Sequence, residues 1–373
     1  MVFRKSTLEE LVIKKNFWYS KKVLITGHTG FKGSWLSIWL KSLGAEVIGV
    51  SLDPPSSPNL YEKALVSDGI VSLRQDICNL GELKKIFQKY QPEIVFHLAA
   101  QAIVRYSYSN PVETYLTNVM GTLNVLEGIR SINSVNAAIM VTSDKCYQNT
   151  ERKKGYSEDE PMGGHDPYSS SKGAAELLIS SYRNSFFSDP SSINHNTAIA
   201  SVRAGNVIGG GDWAQDRLIP DIIQSFQKEQ KVIIRKPNAV RPWQHVLEPL
   251  SGYMQLAELL YKEGTPYAEA WNFGPSDADT KPVKWIVEKI SELWGGNLKW
   301  VMDDHENKHE ANFLKLNCNK AYKKLNWHPR WTLDESLLKI VEWHKVESLP
   351  TSDCSKLCLS QIEDFQNYRN NNE

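Results

Sequence analysis

Short apolar strands that alternate with helical segments constrain the fold of this chain more than any other feature. The pattern predicts strands at 23–26, 46–52, 70–73, 94–99 and 137–143, with helices at 35–40, 80–90 and 112–130 between them. Several of these strands are continuously apolar, which is typical of a parallel sheet covered on both faces. Because parallel crossovers are right-handed, the chain is predicted to form an α/β, Rossmann-like, doubly wound sheet.

The first strand runs into the turn GHTGFKG at 27–33, and a helix follows directly. Glycines let backbone amides approach a pyrophosphate, and the start of a helix adds favourable partial charge. Tight turns need glycine in any case, and the spacing here is GxxGxxG, but the strand before and the helix after favour dinucleotide binding. The cofactor-binding residues predicted in this turn are Gly27, Thr29, Gly30, Phe31 and Gly33.

Asp53 follows the second strand and stands 20 residues after the last glycine of that turn. A carboxylate there can bind the hydroxyls of an adenosine ribose and repel a 2′-phosphate, which favours NAD over NADP. The alternative is that Asp53 only begins the turn at 53–55.

Two further segments complete the predicted cofactor site. Asp76 and Ile77 follow the third strand and could flank the adenine, although Asp76 could instead cap the next helix. Leu98, Ala99 and Ala100 end the fourth strand, where small residues suit a cofactor that lies across the carboxyl edge of the sheet.

Tyr168 and Lys172 lie four residues apart, so on a helix they share one face. There the ammonium can lower the pKa of the phenol and make the tyrosine a usable base for alcohol and carbonyl redox chemistry. Both could instead be ordinary exposed helix residues, since a YxxxK match arises often by chance. Their position, after the strand at 137–143 and a loop with glycines and proline, favours catalysis because it brings Tyr168 to the sheet's carboxyl edge.

Ser143, Asp144 and Lys145 end that strand, where ligands bind in parallel sheets. If Asp144 and Lys145 face a substrate, a proton could go onto a leaving oxygen and another come off carbon. Lysine can act as a base only when neutral, which burial or nearby cations promote. The alternative is a solvated turn. Two proton-transfer pairs suggest redox chemistry coupled to another step, such as elimination.

The pattern of predicted elements changes after about residue 209, where the strands become short and separated. We predict a dinucleotide-binding domain at 21–208 with a return strand near 268–275. A smaller, interleaved α/β substrate-binding domain is predicted at 209–267 and 276–345. Residues 1–20 and 350–373 are predicted to be peripheral, with a weak helical stripe of Cys358, Ile362 and Phe365 near the end.

Composition narrows the class of partner and the compartment. Lys plus Arg and Asp plus Glu are both 43, so the net charge of zero favours neither nucleic acid nor an anionic membrane as a partner. No run approaches a membrane span, and residues 1–15 carry acids and lack the apolar core of a signal peptide. The five cysteines have no metal-type spacing, so we predict a reducing compartment, the cytoplasm, and no metal site.

At the residues described above, the chain resembles the extended short-chain dehydrogenase/reductase superfamily and, within it, the sugar-nucleotide 4,6-dehydratases. Relatives that use dTDP-glucose usually carry glutamate where this chain has Lys145. At this position the chain resembles the branch that acts on CDP-glucose. The similarity runs from about residue 21 to 253 and continues more weakly to about 345. It is carried by the segments TGHTGFKGSWL, SLDPP, HLAAQ, VTSDKCY, DPYSSSK, RAGNVIGGGDW and RPWQHVLEPLSGY.

The resemblance implies an NAD-dependent, redox-neutral dehydration of CDP-D-glucose to CDP-4-dehydro-6-deoxy-D-glucose, a precursor of deoxysugars in surface polysaccharides such as lipopolysaccharide O-antigen. Tyr168 would remove the C4 hydroxyl proton, Ser143 would hydrogen-bond the C4 oxygen, and Lys172 would hold the cofactor ribose. Lys145 is the implied base at C5 and Asp144 the implied acid for the C6 hydroxyl. A homodimer or homotetramer is also implied.

Five further residues are candidates for the substrate side. Asn206 could bind the phosphates, and Arg241 resembles the family's diphosphate-binding arginine, since guanidinium matches phosphate in a two-pronged way. Arg217, Asn272 and Arg105 are additional candidates. A surface salt bridge or a strand-end turn is the alternative interpretation for these positions.

Three rival functions stay open at this point. The first is a 4,6-dehydratase for another nucleotide sugar, and the second is a sugar-nucleotide 4-epimerase, which has no use for an acid at C6. The third is a catalytically silent NAD-binding regulator, against which the presence of Ser143, Asp144, Tyr168 and Lys172 argues.

Overall fold

The computed structural model describes residues 15–187, 196–296, 299–303, 313–347 and 353–368. Within these ranges the strands are β1 (Lys22–Thr26), β2 (Glu46–Ser51), β3 (Val71–Arg74), β4 (Ile94–His97), β5 (Ala137–Val141), β6 (Ala198–Arg203), β7 (Val207–Ile208), β8 (Val232–Ile234), β9 (Val240–Pro242), β10 (Gln244–His245), β11 (Ala270–Asn272), β12 (Thr280–Pro282) and β13 (Trp300–Met302).

The α-helices in the described ranges are α1 (Lys15–Trp18), α2 (Phe31–Ser42), α3 (Leu60–Lys63), α4 (Leu80–Tyr90), α5 (Val104–Ser109), α6 (Pro111–Tyr115), α7 (Gly121–Arg130), α8 (Pro167–Phe186), α9 (Leu218–Gln227), α10 (Leu247–Glu263), α11 (Val283–Trp294), α12 (Leu333–Glu347) and α13 (Cys354–Asn367). One π-helical segment, Leu116–Met120, joins α6 to α7, and another lies at Ala321–Leu325. Short 3-10 turns occupy Asp144–Cys146, Thr265–Tyr267 and Asp277–Asp279.

The centre of the molecule is a seven-stranded sheet in the order β11-β6-β5-β4-β1-β2-β3, and every pairing in it is parallel. The order reverses between β1 and β4, which is the switch point of a Rossmann-like sheet. The predicted fold class is therefore confirmed. The strand predicted near 268–275 is β11, which lies beside β6 at one edge.

Alternation along the strands divides the core into two layers. In β1, Val23 and Ile25 face a tryptophan-rich layer that contains Trp35 and Trp39 of α2, whereas Leu24 faces the layer under α4, α7 and α8. Both layers are apolar because crossover helices cover both faces of a parallel sheet. This explains why the strands read as continuous apolar runs.

Local signals set the ends of the helices that matter most for the site. Asp166 caps α8 by accepting a hydrogen bond from the backbone N–H of Ser169 at 2.9 Å, and Pro167 occupies the first helical position. Asn79 caps α4 in the same way through the N–H of Glu82. Asp76 is therefore not the helix cap.

Small differences from the sequence prediction occur where side chains take over backbone hydrogen bonding. The strand predicted at 94–99 ends at His97, because the N–H of Ala99 donates to the hydroxyl of Thr26. The strand predicted at 137–143 ends at Val141, and Ser143 instead caps the 3-10 turn that follows. The helix predicted at 112–130 is interrupted by the π-helical segment.

A smaller second core lies beside the sheet. It is built from α9, α11, α12 and the short strand β8, and it contains Ile222, Ile234, Ile290 and Leu337. The pairs β7–β10 and β8–β13 are parallel, whereas β9–β12 is antiparallel. These elements cover the carboxyl edge of the sheet.

The described parts of both termini belong to the main core, which differs from the prediction that they are peripheral. Trp18 of α1 is fully buried and lies close to Phe96 of β4. Cys358 and Phe365 of α13 are also fully buried, and Phe365 packs edge-on against Trp39 of α2. The remaining residues of the predicted termini, 1–14, 350–352 and 369–373, lie outside the described residues.

No helix among the described residues is both long and apolar enough to traverse a bilayer. In the same part of the chain, no group of three or more His, Cys, Asp or Glu side chains is arranged to hold a metal ion.

Candidate functional site

A cavity of about 1560 Å³ runs along the carboxyl edge of the sheet. The segments that follow each of β1 to β6 contribute to its wall on one side, and α9, β8 and β9 of the second core contribute on the other. All predicted site residues except Asn272 line it. The predicted residues thus share a cavity at the edge where ligands bind in doubly wound sheets.

The glycine turn between β1 and α2 provides the backbone surface of the cavity. Gly27 adopts φ +80°, and a Cβ there would lie 2.7 Å from the backbone nitrogen of Ala99. A Cβ on Gly33 would overlap the carbonyl oxygen of Gly27. Gly30 caps α2 without a side-chain hydrogen bond, so the first amides of the helix face the cavity. Together these features form a cradle for a phosphate group.

Thr29 and Phe31 of the turn line the cavity as predicted. The hydroxyl of Thr29 is already engaged with Ser51 at 2.7 Å and donates to the carbonyl of Leu52 at 3.0 Å. Thr29 thus fastens the turn to the end of β2.

Asp53, Asp76, Ile77, Leu98, Ala99 and Ala100 line the other end of this half of the cavity. The carboxylate of Asp53 is largely exposed and forms an ion pair with Arg74 at 2.9 Å. Asp76 accepts a hydrogen bond from the N–H of Cys78, and the buried side chain of Ile77 packs against Gly121. The residues that line this half of the cavity thus extend from the start of α2 to the segment that follows β3.

Tyr168 and Lys172 lie on α8 with their side chains buried at the cavity wall. Burial raises the pKa of Tyr168 to about 12, and a side-chain hydrogen bond with Ser143 acts in the opposite direction. Burial lowers the pKa of Lys172 to about 8, and its ammonium donates to the carbonyl of Val141 at 3.4 Å. The pKa of the phenol is thus shifted opposite to the predicted lowering by Lys172.

Ser143 joins the members of the predicted constellation. Its hydroxyl donates to Oδ1 of Asp144 at 3.1 Å and accepts from the backbone N–H of Lys145 at 3.2 Å. Since it also hydrogen-bonds Tyr168, one hydroxyl connects the tyrosine to the acid.

Asp144 is 2% exposed, and its Oδ2 has no hydrogen-bond partner among the described residues. Burial raises the pKa of this carboxyl, although the charges of Lys145, Arg241 and Lys32 and the bond from Ser143 act against the shift. A Cβ on Gly205 would overlap Oδ2 of Asp144. The carboxyl therefore occupies space that only a glycine at 205 leaves open.

Glu176 fixes the catalytic helix to the sheet. It accepts hydrogen bonds from Thr142, which follows β5, at 2.5 Å, from Ser201 of β6 at 2.8 Å and from Arg203 of β6 at 2.7 Å. Burial alone would raise the pKa of Glu176, but Arg203 and these hydrogen bonds lower it overall. Because Glu176 lies one turn beyond Lys172, this buried ion pair positions the α8 face that carries Tyr168.

The substrate-side candidates occupy the wall formed by the second core. Asn206 follows β6 with φ +41°, and Arg241 of β9 is 5% exposed. Arg217 precedes α9 and donates to Asp212 at 2.9 Å, while Arg105 of α5 reaches Asp216 at 3.1 Å from the exposed rim. These cations face the same cavity as Tyr168 and Asp144.

Asn272 is the predicted site residue that does not line the cavity. It is fully buried, and its amide oxygen accepts from the hydroxyl of Tyr147 at 2.7 Å. Its amide nitrogen donates to the carbonyls of Tyr156 and Asn317. The side chain ties β11 to two neighbouring loops.

Sequence reasoning missed several charged residues that line the cavity, among them Lys32 and Asp221. Burial lowers the pKa of Lys32 to about 8, with Arg217 and Lys172 acting in the same direction. Lys32 lies inside the glycine turn, where its charge was a visible signal. Asp221 lies in the first turn of α9, and nothing in its surrounding sequence marks it.

The fold and the site together define a class of protein. A Rossmann-like sheet, a glycine cradle at a helix start, and a helix that presents Tyr168 and Lys172 at the sheet's carboxyl edge are the features of short-chain dehydrogenase/reductase enzymes. More specifically, the chain belongs to the GDP-mannose 4,6-dehydratase family, whose model matches residues 24–340.

Curated relatives include dehydratases of several nucleotide sugars. The chain is 55% identical over 334 residues to CDP-glucose 4,6-dehydratase of Salmonella typhimurium, with 90% of this chain and 93% of the relative covered. It is 23% identical to dTDP-glucose 4,6-dehydratase of Haemophilus influenzae, with 87% and 98% covered.

Solved structures agree with the fold. The epimerase Mth375 of Methanothermobacter thermautotrophicus superposes with a TM-score of 0.77 at 25% identity, covering 90% of this chain and 96% of that chain. The dTDP-glucose 4,6-dehydratase of Bacillus anthracis in complex with NAD superposes with a TM-score of 0.71 at 21% identity, covering 87% and 97%.

Proposed function

We propose that this chain catalyses the NAD-dependent dehydration of CDP-D-glucose to CDP-4-dehydro-6-deoxy-D-glucose and water. The observation that carries the proposal is the convergence of Tyr168, Ser143, Asp144 and Lys145 on one cavity wall. The relative that shares 55% identity with the chain acts on CDP-glucose, which supports the choice of nucleotide.

The residues of the glycine cradle fit NAD. The pyrophosphate would lie against the backbone of the turn and the start of α2, and Gly27 and Gly33 keep this turn tight because a Cβ on either would clash with neighbouring backbone. Asp53 would face the adenosine ribose, with Asp76 and Ile77 beside the adenine, Leu98, Ala99 and Ala100 along the cofactor, and Lys172 at the second ribose. NAD held there would supply a hydride acceptor for oxidation at C4 and the hydride donor for reduction at C6, so the reaction would need no other oxidant.

The chain's own residues then have separate tasks. Tyr168 removes the proton from the C4 hydroxyl, while Ser143 holds that oxygen by a hydrogen bond. The ketone formed at C4 acidifies the proton on C5, and Lys145 removes it. Asp144 protonates the C6 hydroxyl, which departs as water. Its raised pKa suits this role because it favours the protonated acid.

Cations on the opposite wall suit the diphosphate of a sugar nucleotide. Arg217 and Arg241 offer guanidinium groups, which match phosphate oxygens in a two-pronged geometry. Asn206 lies beside them at the end of β6, and Arg105 closes the rim. The hexose would then lie between these groups and Tyr168.

We further propose a cytoplasmic homodimer or homotetramer that feeds deoxysugar synthesis for surface polysaccharides such as lipopolysaccharide. No disulfide links the five cysteines, all of which fall within the described residues, and this fits a reducing compartment. Val112, Leu116 and Met120 recur at helical spacing with exposed side chains, and Leu177 of α8 is 63% exposed nearby. An apolar face of this kind supports pairing of α6, α7 and α8 with a second copy.

Incubation with NAD and each of CDP-glucose, dTDP-glucose, UDP-glucose and GDP-mannose tests the reaction, with products scored by mass. We expect loss of one water from CDP-glucose and far slower change in the others. An unchanged mass with a new sugar configuration would establish an epimerase instead. Preferential turnover of another nucleotide sugar would overturn the assignment of the substrate.

A further inference from the structure

Beyond the cations, the cavity continues along α9 into a slot with apolar walls. Ile219 of α9, Ile234 of β8 and Trp243 line the slot, and Val283 at the start of α11 also contributes. The first three are less than 5% exposed, so the walls are fixed by the second core. An apolar stretch of wall beside charged side chains has the composition that an aromatic base requires.

Asp221 and Gln224 of α9 also line this part of the cavity. They are three residues apart, so their side chains share one face of the helix. The backbone N–H of Asp221 donates to the carbonyl of Arg217 at 3.1 Å, which places Asp221 one helical turn beyond that cation. Since Arg217 is close enough to Tyr168 to affect the pKa of either group, the order along the wall is tyrosine, cation, carboxylate.

The three carboxylates on this wall are not equivalent. Asp212 is paired with Arg217 at 2.9 Å, and Asp216 is paired with Arg105 at 3.1 Å and approaches Arg235 at 4.0 Å. Asp221 has no hydrogen bond or ion pair through its carboxylate within the described ranges. A half-buried carboxylate without a donor is costly, so the geometry suits a donor that arrives with the ligand. Burial and the nearby Asp216 raise the pKa of Asp221 to about 6, which agrees with this environment.

We propose that Asp221 selects the nucleotide by accepting a hydrogen bond from the exocyclic amine of cytosine bound in this slot. The inference rests on the proposed function, because it assigns the base end of the same substrate. Cytosine carries an amine donor at position 4, whereas uracil and thymine carry a carbonyl acceptor there. A carboxylate opposite that carbonyl would leave two acceptors facing each other, and a site built for a donor rejects such a ligand strongly.

The test compares kcat/KM for CDP-glucose and UDP-glucose in the parent chain and in Asp221→Asn. The amide can turn to donate to the carbonyl of uracil, so we expect the preference for CDP-glucose to fall about 10- to 100-fold. Asp221→Ser offers a second variant, since a hydroxyl also donates or accepts, and the same loss of preference is expected. Unchanged NAD binding shows that each variant is folded.

Asp216→Asn is the matched control. It removes a carboxylate from the same wall, but this carboxylate already has the cation partners Arg105 and Arg235. Its ratio of the two kcat/KM values should stay at that of the parent. Calorimetric binding of CMP and UMP gives a readout independent of turnover, and Asp221→Asn should lose the preference for CMP. If the parent prefers CDP-glucose and both Asp221 variants retain the full preference, the role of Asp221 is refuted. If the parent does not prefer CDP-glucose, the proposed function itself fails.

Discussion

At the scale of single residues, burial affects Tyr168 and Asp144 in the same direction, although their proposed tasks are opposite. Both side chains are almost fully enclosed, and burial raises the pKa of each. This favours Asp144 as an acid. For Tyr168 to act as a base, positive charge must be close when the C4 proton leaves, since an opposite charge favours the ionised phenol. Lys172 and Lys32 stand at the same cavity as sources of such charge.

Replacement of Lys145 by methionine separates the two halves of the reaction. The variant keeps the length of the side chain but cannot accept a proton, so oxidation at C4 should continue while loss of water falls about 10²- to 10⁴-fold. Absorbance of reduced NAD in a single turnover and product mass measure the two steps. Tyr168→Phe is the control, because it should suppress both signals. Dehydration at the parent rate in Lys145→Met would exclude the lysine as the C5 base.

At the scale of elements, the position of α8 depends on one buried ion pair. The carboxylate of Glu176 and the guanidinium of Arg203 are both less than 5% exposed and lie 2.7 Å apart. Arg203 also donates to the hydroxyl of Tyr147, so the pair connects α8, β6 and the loop after the 3-10 turn. The register of Tyr168 against Ser143 thus depends on a contact two helical turns away.

We expect Glu176→Gln to lower the free energy of unfolding by about 3–5 kcal/mol, because it leaves the buried charge of Arg203 uncompensated. Urea unfolding followed by tryptophan fluorescence measures the change. Glu82→Gln makes the same chemical change in an exposed pair with Lys85, for which less than about 1 kcal/mol is expected. Equal effects of the two substitutions would show that the buried pair does not hold the helix.

The elements also show where sequence patterns inform and where they do not. The strands of the main sheet were predictable because residues such as Val23 to Ile25 are buried on both faces, which leaves a continuous apolar run. The terminal helix α13 gave only a weak stripe, since its partners Trp39 and Trp331 are contributed by distant segments. Asn272 was expected at the cavity but does not line it, because a strand end reveals the edge of the sheet but not the direction of the side chain.

At the scale of the whole molecule, several histidines are held neutral in the folded state. Burial lowers the pKa of His28 to about 4 and the pKa values of His97, His245 and His344 to about 3. The unfolded chain binds protons near pH 6.5, so as the pH falls below that value it gains protons that the folded state does not. Each histidine therefore removes up to about 1.4 kcal/mol of stability per pH unit between about 6.5 and its folded pKa.

His344 offers the cleanest test of this effect. It is fully buried beside Trp213 and Trp343, and neither ring nitrogen has a hydrogen-bond partner in the described residues. Between about pH 7.5 and pH 5.5, His344→Phe should lose about 1.4 kcal/mol less stability than the parent. His328→Phe, which replaces an exposed ring, is measured beside it as the control for the loss of a histidine. Equal losses in His344→Phe and the parent, measured by urea unfolding, would refute this role for His344.

The site as a whole was predictable because the chemistry lies at strand ends, whose order a parallel sheet imposes. Ser143 to Lys145 follow β5 and the glycine turn follows β1, so both were expected at one edge. The wall contributed by α9 was only partly foreseen, since Arg217 stood out as a cation but Asp221 did not. Only the tertiary arrangement shows that Asp221, unlike Asp212 and Asp216, forms no ion pair within the described residues.

The space that Gly205 leaves for Asp144 limits which substitutions this protein can accept during evolution. Any side chain at position 205 would displace the carboxyl of Asp144, whatever its polarity. Substitutions at the two positions are therefore coupled, although the positions are 61 apart in the sequence. A homologue that retains Asp144 but has replaced the glycine would keep the catalytic motif while its acid is displaced. The residue at position 205 can therefore help to distinguish homologous genes that encode an active enzyme from those that have lost activity.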